Sequence, residues 1–412
     1  MTRSPDRDVP ALEARAPAPA RWLVLGAFAA LVAATQVLWL SFAPITAQAH
    51  VALGVSEGAI GDLAVVNPLT YVLLAIPAGR WMDRRFGAAL ATGALLTAAG
   101  AVLRAVAPGA YGWALAGQIV LSVGQPLVLN ATTKVAARYF PPPERTAAIS
   151  VASAAQFVGI LVAALAAEPL ANAGGLRRVL LTHAVLAVVC AVALLVMLRT
   201  PPSFVADADA VQSLGWLRHD PLMWRLAGLL FIGVGVFNAV ATWLDTILAD
   251  FGHPGVSGSL IAVMTVAGIA GAALVPGAAA RRNGRRSVLV ATTLLTVLVF
   301  LALAVVHSTV FVAVALALEG FLLLSCLPIA LDWSELDAGP ARAGTATGFL
   351  LLAGNLGGVV FVLVVQALIG DPRVALVAIA AIAVPGVALT VRLPASARSH
   401  LDDDRPLRRG AV

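Results

Sequence analysis

Glu319 sits in the run VALALEGFLLL (314–324), the one acidic residue within eleven positions. A carboxylate at that depth cannot face lipid cheaply, so it either faces a water-filled cavity or keeps a proton. As a cavity residue it would carry a proton or balance a cationic solute. As a buried acid it would donate one hydrogen bond to a neighbouring helix. Other polar residues interrupt apolar runs at comparable depth: Gln36 with Trp39, Gln125, Gln156, Asn238 with Thr242 and Asp245, and Asn355. At roughly 1.5 Å per helical residue, Gln156 lies about 15 Å into its run, Asn238 about 21 Å, Glu319 about 15 Å and Asn355 about 18 Å. Asn238, Thr242 and Asp245 share a helix face by their i, i+4, i+7 spacing, and Gln36 and Trp39 are one turn apart. Together these residues would line one solute-binding cavity, with Asp245 near its outer end as a gate or simply solvated. Gln125 and Asn130 would touch the solute or bridge helices.

Catalysis has no comparable basis. No nucleophile–base set or metal-ligand cluster is visible, and no cofactor is implied. Cys190 and Cys326 both fall inside apolar runs, which argues against a structural disulfide. His183 and His307 are isolated near run ends and read as solvated or singly bonded. No glycine-rich ATP loop appears, so energy would come from a solute gradient or from a proton or other coupling ion.

The elements that must hold these residues are membrane helices. Of the 412 residues, 60% are hydrophobic and 12% charged, and apolar runs near 20 residues recur, each long enough for one crossing of a hydrocarbon core of about 30 Å. The runs fall near 22–44, 59–79, 89–107, 112–138, 146–168, 176–198, 224–250, 257–280, 287–306, 309–333, 343–369 and 373–393. This predicts an all-α membrane protein of twelve transmembrane helices with both termini on one side. The first run is too long for the core of a cleaved signal peptide and reads as a retained span. On the side shared by the termini lie 23 of the 27 basic residues, against Arg104, Arg177, Arg178 and Arg373 on the other. The positive-inside rule then makes both termini cytoplasmic. The net charge of +6 is this asymmetry; it suits anionic lipids, and nothing suggests nucleic acid. A single Lys among the basic residues suggests a GC-rich bacterial coding bias and hence a bacterial cytoplasmic (inner) membrane.

The stretch 199–223, with Pro201, Pro202, Asp207, Asp209 and Asp220, reads as a cytoplasmic linker. It separates six-helix bundles at 22–198 and 224–393, flanked by cytoplasmic tails at 1–21 and 394–412. Three internal matches support a duplication at offsets of about 198–202 residues: Gly79 to Asp83 with Gly277 to Arg281, PLVLN from Pro126 with PIALD from Pro328, and QFVG at Gln156 with NLGG at Asn355. Duplicated halves are the usual build of secondary transporters, with the substrate held between them near the midplane.

The segment AGRWMDRRFG (78–87) resembles the loop between spans 2 and 3 of the major facilitator superfamily through Gly79, Asp83, Arg84 and Gly87. That resemblance implies the major facilitator fold of two pseudo-symmetric bundles. A small Gly79 would let span 2 approach a neighbour closely. Asp83 would cap the positive end of span 11 or pair with Arg138 when the cytoplasmic side is shut, with Arg84 and Arg138 serving the gate. The stretches 124–159, 233–248 and 327–349 further resemble the feline leukaemia virus subgroup C receptor branch, whose members are associated with choline, ethanolamine, haem or pyridoxine transport. The resemblance implies an aromatic wall at Trp39, polar contacts at Gln156 and Asn355, and acidic positions at Asp332 and Glu335, which by their depth would pair with basic residues of the cytoplasmic loops. One departure stands out: Asn238 replaces a Tyr of the choline-handling members, removing half of an aromatic cage.

These readings describe a monomeric transporter of a small organic solute, such as an organic cation, amine or vitamin-like compound, working by alternating access. A proton-coupled multidrug or metabolite exporter is the alternative, and a non-transporting receptor or sensor is a third possibility of another class.

Overall fold

The computed structural model describes residues 20–204, 214–253 and 255–395. Arg3, Arg7 and Arg15, the linker aspartates Asp207 and Asp209, and the basic residues from Arg398 onward lie outside the described residues. The chain forms α1 (Arg21–Trp39), α2 (Thr46–Leu53), α3 (Glu57–Arg84), α4 (Phe86–Val106), α5 (Tyr111–Leu129), α6 (Ala131–Tyr139), α7 (Pro142–Met197) and the short α8 (Gly215–His219). It continues with α9 (Pro221–Asp250), α10 (Ser257–Arg281), α11 (Arg285–Leu303), α12 (Thr309–Leu323), α13 (Cys326–Leu368) and α14 (Pro372–Val391).

Helix starts follow local chemistry. Ser56 accepts from the Ala59 amide to begin α3, and Asp220 accepts from Leu222 and Met223 to begin α9. Asp371 does the same for α14, and both Asp caps are followed by proline at the first helical position. Among the described residues, ten helical stretches are long and apolar enough to cross a membrane. Two of them, 142–197 and 309–368, are 56 and 60 residues long, about twice a crossing. Each is broken where glycine takes non-helical angles, at Gly174 and Gly175 and at Gly339. The expected count of twelve is reached only by counting each as two crossings. Leu73, Leu274 and Leu298 are more than half exposed on outward faces, as lipid-facing positions should be.

The helices pack as the internal sequence matches anticipate. α1 lies along the first part of α7, and α9 lies along the second part of α13. Both pairings place glycine at equivalent positions. A Cβ at Gly159 would run into the Ala33 carbonyl oxygen, and one at Gly358 into the Asn238 amide. The two close approaches set Gln156 and Asn355, three residues earlier on each helix, at corresponding heights.

One end of the molecule gathers Asp83, Lys134, Arg145, Arg285, Asp332 and Glu335 and is called here the basic face. Among the described residues, every side-chain hydrogen bond joining the helices before residue 200 to those after 215 lies at this face.

Candidate functional site: a central cavity above a shut basic face

The basic face is held by two clusters. In the first, Asp83 at the end of α3 accepts from the Gly344 amide (2.8 Å) and from the Thr345 amide (2.9 Å) and hydroxyl (2.5 Å). The remaining partner is the ammonium of Lys134, at 2.8 Å, which also donates to the carbonyls of Pro340 (2.7 Å) and Ala341 (2.9 Å). Asp83 thus meets the free amides just after the Gly339 break, where the helix dipole is positive. The Arg138 pairing does not form, because Lys134 lies one turn nearer on α6. Arg138 instead stacks over Phe86, its guanidinium carbon 5.1 Å from the ring centre, and Arg84 is exposed. Gly79 is needed here: a Cβ there would sit 2.7 Å from the Gly344 carbonyl oxygen and 2.8 Å from Thr345 Cα. Thr133 bonds the Thr347 hydroxyl (2.7 Å) and the Ala343 carbonyl (3.1 Å) one turn further in.

In the second cluster, Arg145 pairs with Glu335 at 2.8 Å and Arg285 with Asp332 at 2.7 Å, while Thr146 donates to Asp332 at 2.6 Å. Thr146 and Thr345 are separated by the offset that relates Gln156 to Asn355. Each donates its hydroxyl across to a buried carboxylate of the other half of the chain.

Beyond this shut face lies a cavity open to solvent, about 890 Å³ of empty space with its open mouth included. Its wall brings together Gln36, Trp39, Gln125, Gln156, Asn238 and Asn355, all named from sequence, and adds Asn67, Phe157 and Phe237. Among the described residues, no charged side chain lines it. Trp39 donates its indole N–H to the Ala64 carbonyl (2.9 Å), which leaves the ring face for a ligand. Asn355 is tied to its own helix through Leu351 (2.8 Å). The amide nitrogens of Asn67 and Gln156 are buried with no protein acceptor within reach. Two unpaired donors in an apolar surround make an acceptor-bearing ligand favourable.

The aromatic deficit expected at Asn238 is made good by its neighbour. Phe237 reaches the cavity and meets Phe157 across the two halves, with ring centroids 6.4 Å apart. Neither phenylalanine is distinguishable in sequence from the other apolar residues of its span.

Three expected cavity residues lie elsewhere. Glu319 is fully buried in α12 and absent from the cavity wall; Thr296 of α11 donates to it at 2.6 Å and its second carboxylate oxygen has no partner among the described residues. Its height in the span was readable, but its direction depends on how α12 packs against α10 and α11. Thr242 is exposed off the cavity wall. Asp245 accepts from Ser257 (2.6 Å) at the end of α9 away from the basic face. Cys326, passed over in sequence, lines the cavity as a free thiol.

This arrangement, a cavity between two related halves with one face shut, defines a membrane transporter. A profile of the Major Facilitator Superfamily matches residues 22–362, and the chain belongs to that superfamily. Solute carrier family 49 member A3 of Danio rerio is 30% identical over 390 residues, covering 88% of this chain and 82% of the relative. The human Choline/ethanolamine transporter FLVCR2 is 28% identical over 146 residues, 34% of this chain and 28% of that protein. The resemblance to the feline leukaemia virus subgroup C receptor family therefore holds. Among solved structures, the fold matches the human organic anion transporter MFSD10 (TM-score 0.72, 13% identity, 90% of this chain and 100% of that one). It also matches the outward conformation of FucP (TM-score 0.71, 16% identity, 89% and 97%). The chain is a multi-pass membrane transporter and not an enzyme, and the receptor reading has no support among these relatives.

Proposed function

We propose that this transporter moves a small organic cation, amine or uncharged vitamin-like compound by alternating access, bound in the central cavity. The observation that carries this is the wall itself: six amide side chains and three aromatic rings, with no charged group. An anionic solute would lose its hydration there without gaining a counter-charge. A cation would be met by the faces of Trp39, Phe157 and Phe237 and by amide carbonyls. A neutral heterocycle would stack on the same rings and accept from Asn67 and Gln156. The partial match to a choline/ethanolamine transporter supports the amine end of this range.

The basic face is read as cytoplasmic by its charge, with both termini on that side of a bacterial cytoplasmic membrane. The 22–198 and 224–393 bundles would rock about the cavity in a monomer, and a cavity closed at the basic face is then the outward-facing state. The test is a thermal-shift screen of the purified protein against quaternary amines, vitamins and porphyrins, followed by uptake of each hit into proteoliposomes. A stabilising amine or vitamin that is also transported supports the reading. Stabilisation by organic anions alone would contradict it.

A second reading, proton coupling, rests on one observation, the unpartnered carboxylate oxygen of Glu319 near mid-bilayer. Under it, Glu319→Gln keeps substrate exchange between equal pools and loses accumulation driven by a pH step. Wild-type uptake that ignores the pH step removes this reading.

A further inference from the structure

Arg104 is the buried cation that the transport cycle outlined above leaves unused. It lies in the last turn of α4 and is 1% exposed. The position is built for it: a Cβ at Gly117 of α5 would sit 2.5 Å from Arg104 Cγ, so only glycine lets the arginine stem lie along that helix. One nitrogen, Nη1, is satisfied, donating to the Leu38 carbonyl (3.0 Å) and to Gln118 Oε1 (2.8 Å). The Phe42 ring lies 5.6 Å from the guanidinium carbon.

The other edge is different. Nε and Nη2, the fork with which arginine holds a carboxylate or oxyanion two-handed, have no protein acceptor within reach. Gln118 Nε2, on a fully buried side chain beside it, has none either. Among the described residues, no carboxylate pairs with Arg104: the four ion pairs are Arg21–Glu144, Lys134–Asp83, Arg145–Glu335 and Arg285–Asp332. His183, bonded to Ser41 at 2.9 Å, adds no negative charge. The end of α4 supplies only about half of one. A buried, permanently charged guanidinium whose chelating edge meets no acceptor is complementary to an anion.

We infer that the edge formed by Arg104 Nε and Nη2 is a binding site for a small monovalent anion, chloride being the probe of choice. The site is separate from the substrate cavity and touches it through one link. Arg104 holds the carbonyl of Leu38, and the next residue, Trp39, is the aromatic wall of the cavity. Anion binding would therefore steady the end of α1 and with it the substrate site.

The test uses the full-length purified protein at constant ionic strength, with chloride replaced stepwise by gluconate. The expected result is a saturable rise in melting temperature with chloride of about 2 °C or more, as for a ligand selective for the folded state. Arg104→Gln should lose this response, whereas Arg286→Gln, on the basic face, should keep it. Because Arg104→Gln risks misfolding, Gln118→Glu provides a second arm. It puts a carboxylate beside the guanidinium, so the variant should be as stable in gluconate as in chloride. Equal wild-type stability in chloride and gluconate would overturn the inference and leave a hydrated arginine. A chloride response that survives in Gln118→Glu would overturn it as well, by placing the anion elsewhere.

Discussion

The basic face and the central cavity use similar numbers of polar side chains to opposite ends. At the basic face each oxygen of Asp83 has two donors, and Lys134 has an acceptor for each of its three N–H bonds. In the cavity, two buried amide nitrogens have no acceptor at all. The first region spends its polarity on holding two halves of the chain together. The second holds it in reserve for something that arrives. Asp83 and Lys134, fully satisfied, make a joint, and the unpaired amides of Asn67 and Gln156 make a binding surface.

That contrast is most severely stressed at Asp83. Asp83→Ala leaves Lys134 buried without its counter-charge and uncaps the helix after Gly339, which should cost the shut face about 3–5 kcal/mol. A cysteine placed at Thr347, buried behind the joint, should then become reactive to impermeant thiol reagents added from the basic side. Unchanged labelling would mean that Asp83 does not hold the face closed. A smaller displacement is expected from Gly79→Ala. The added methyl meets backbone atoms of Gly344 and Thr345, which cannot swing aside, so overpacking of about 1–3 kcal/mol should raise the same labelling by less.

Cavity substitutions should show the opposite profile. Gln156→Ala and Trp39→Ala are each expected to weaken ligand binding about tenfold, near 1.4 kcal/mol, with labelling at Thr347→Cys unaltered. Loss of binding together with opening of the basic face would blur the distinction between the two regions.

The finest test uses pH. Asp337, on the basic face outside the crossing segments, has its carboxyl pushed up to about 7, first by burial, then by a hydrogen bond and charge repulsion from Asp220. Its protonated form is therefore the one favoured in the folded protein. The stabilisation is fully present below the ordinary carboxylate value and fades as pH rises through about 7. The melting temperature should fall slightly between pH 5 and pH 8 in the wild type and by less in Asp337→Asn.

Much of this was legible in the sequence because membrane helices announce their length and depth. Gln156, Asn238 and Asn355 were placed at mid-span by counting residues, and they reach the cavity together with Gln36 and Gln125. The pairing of Asp332 and Glu335 with basic loop residues followed from their height near the span end. Direction around the helix was harder. Glu319 has the right height and faces Thr296 instead, because a span apolar on all sides gives no phase. Lys134 counted in sequence only among the basic residues on the side of the termini. Its role appears once α6 is seen to bring it beside Asp83. Phe157 and Phe237 could not be separated from other apolar residues, since lipid, core and cavity all accept phenylalanine.

The central claim is that ligand occupies the amide- and aromatic-lined cavity, and the protein carries its own reporter there. Cys326 lines the cavity, and the other cysteine, Cys190, is absent from its wall. In a Cys190→Ala background, the rate at which a small thiol reagent modifies Cys326 should fall with added substrate, half-maximally at the concentration that half-saturates transport. A Cys326 modification rate unchanged at saturating substrate would contradict the account.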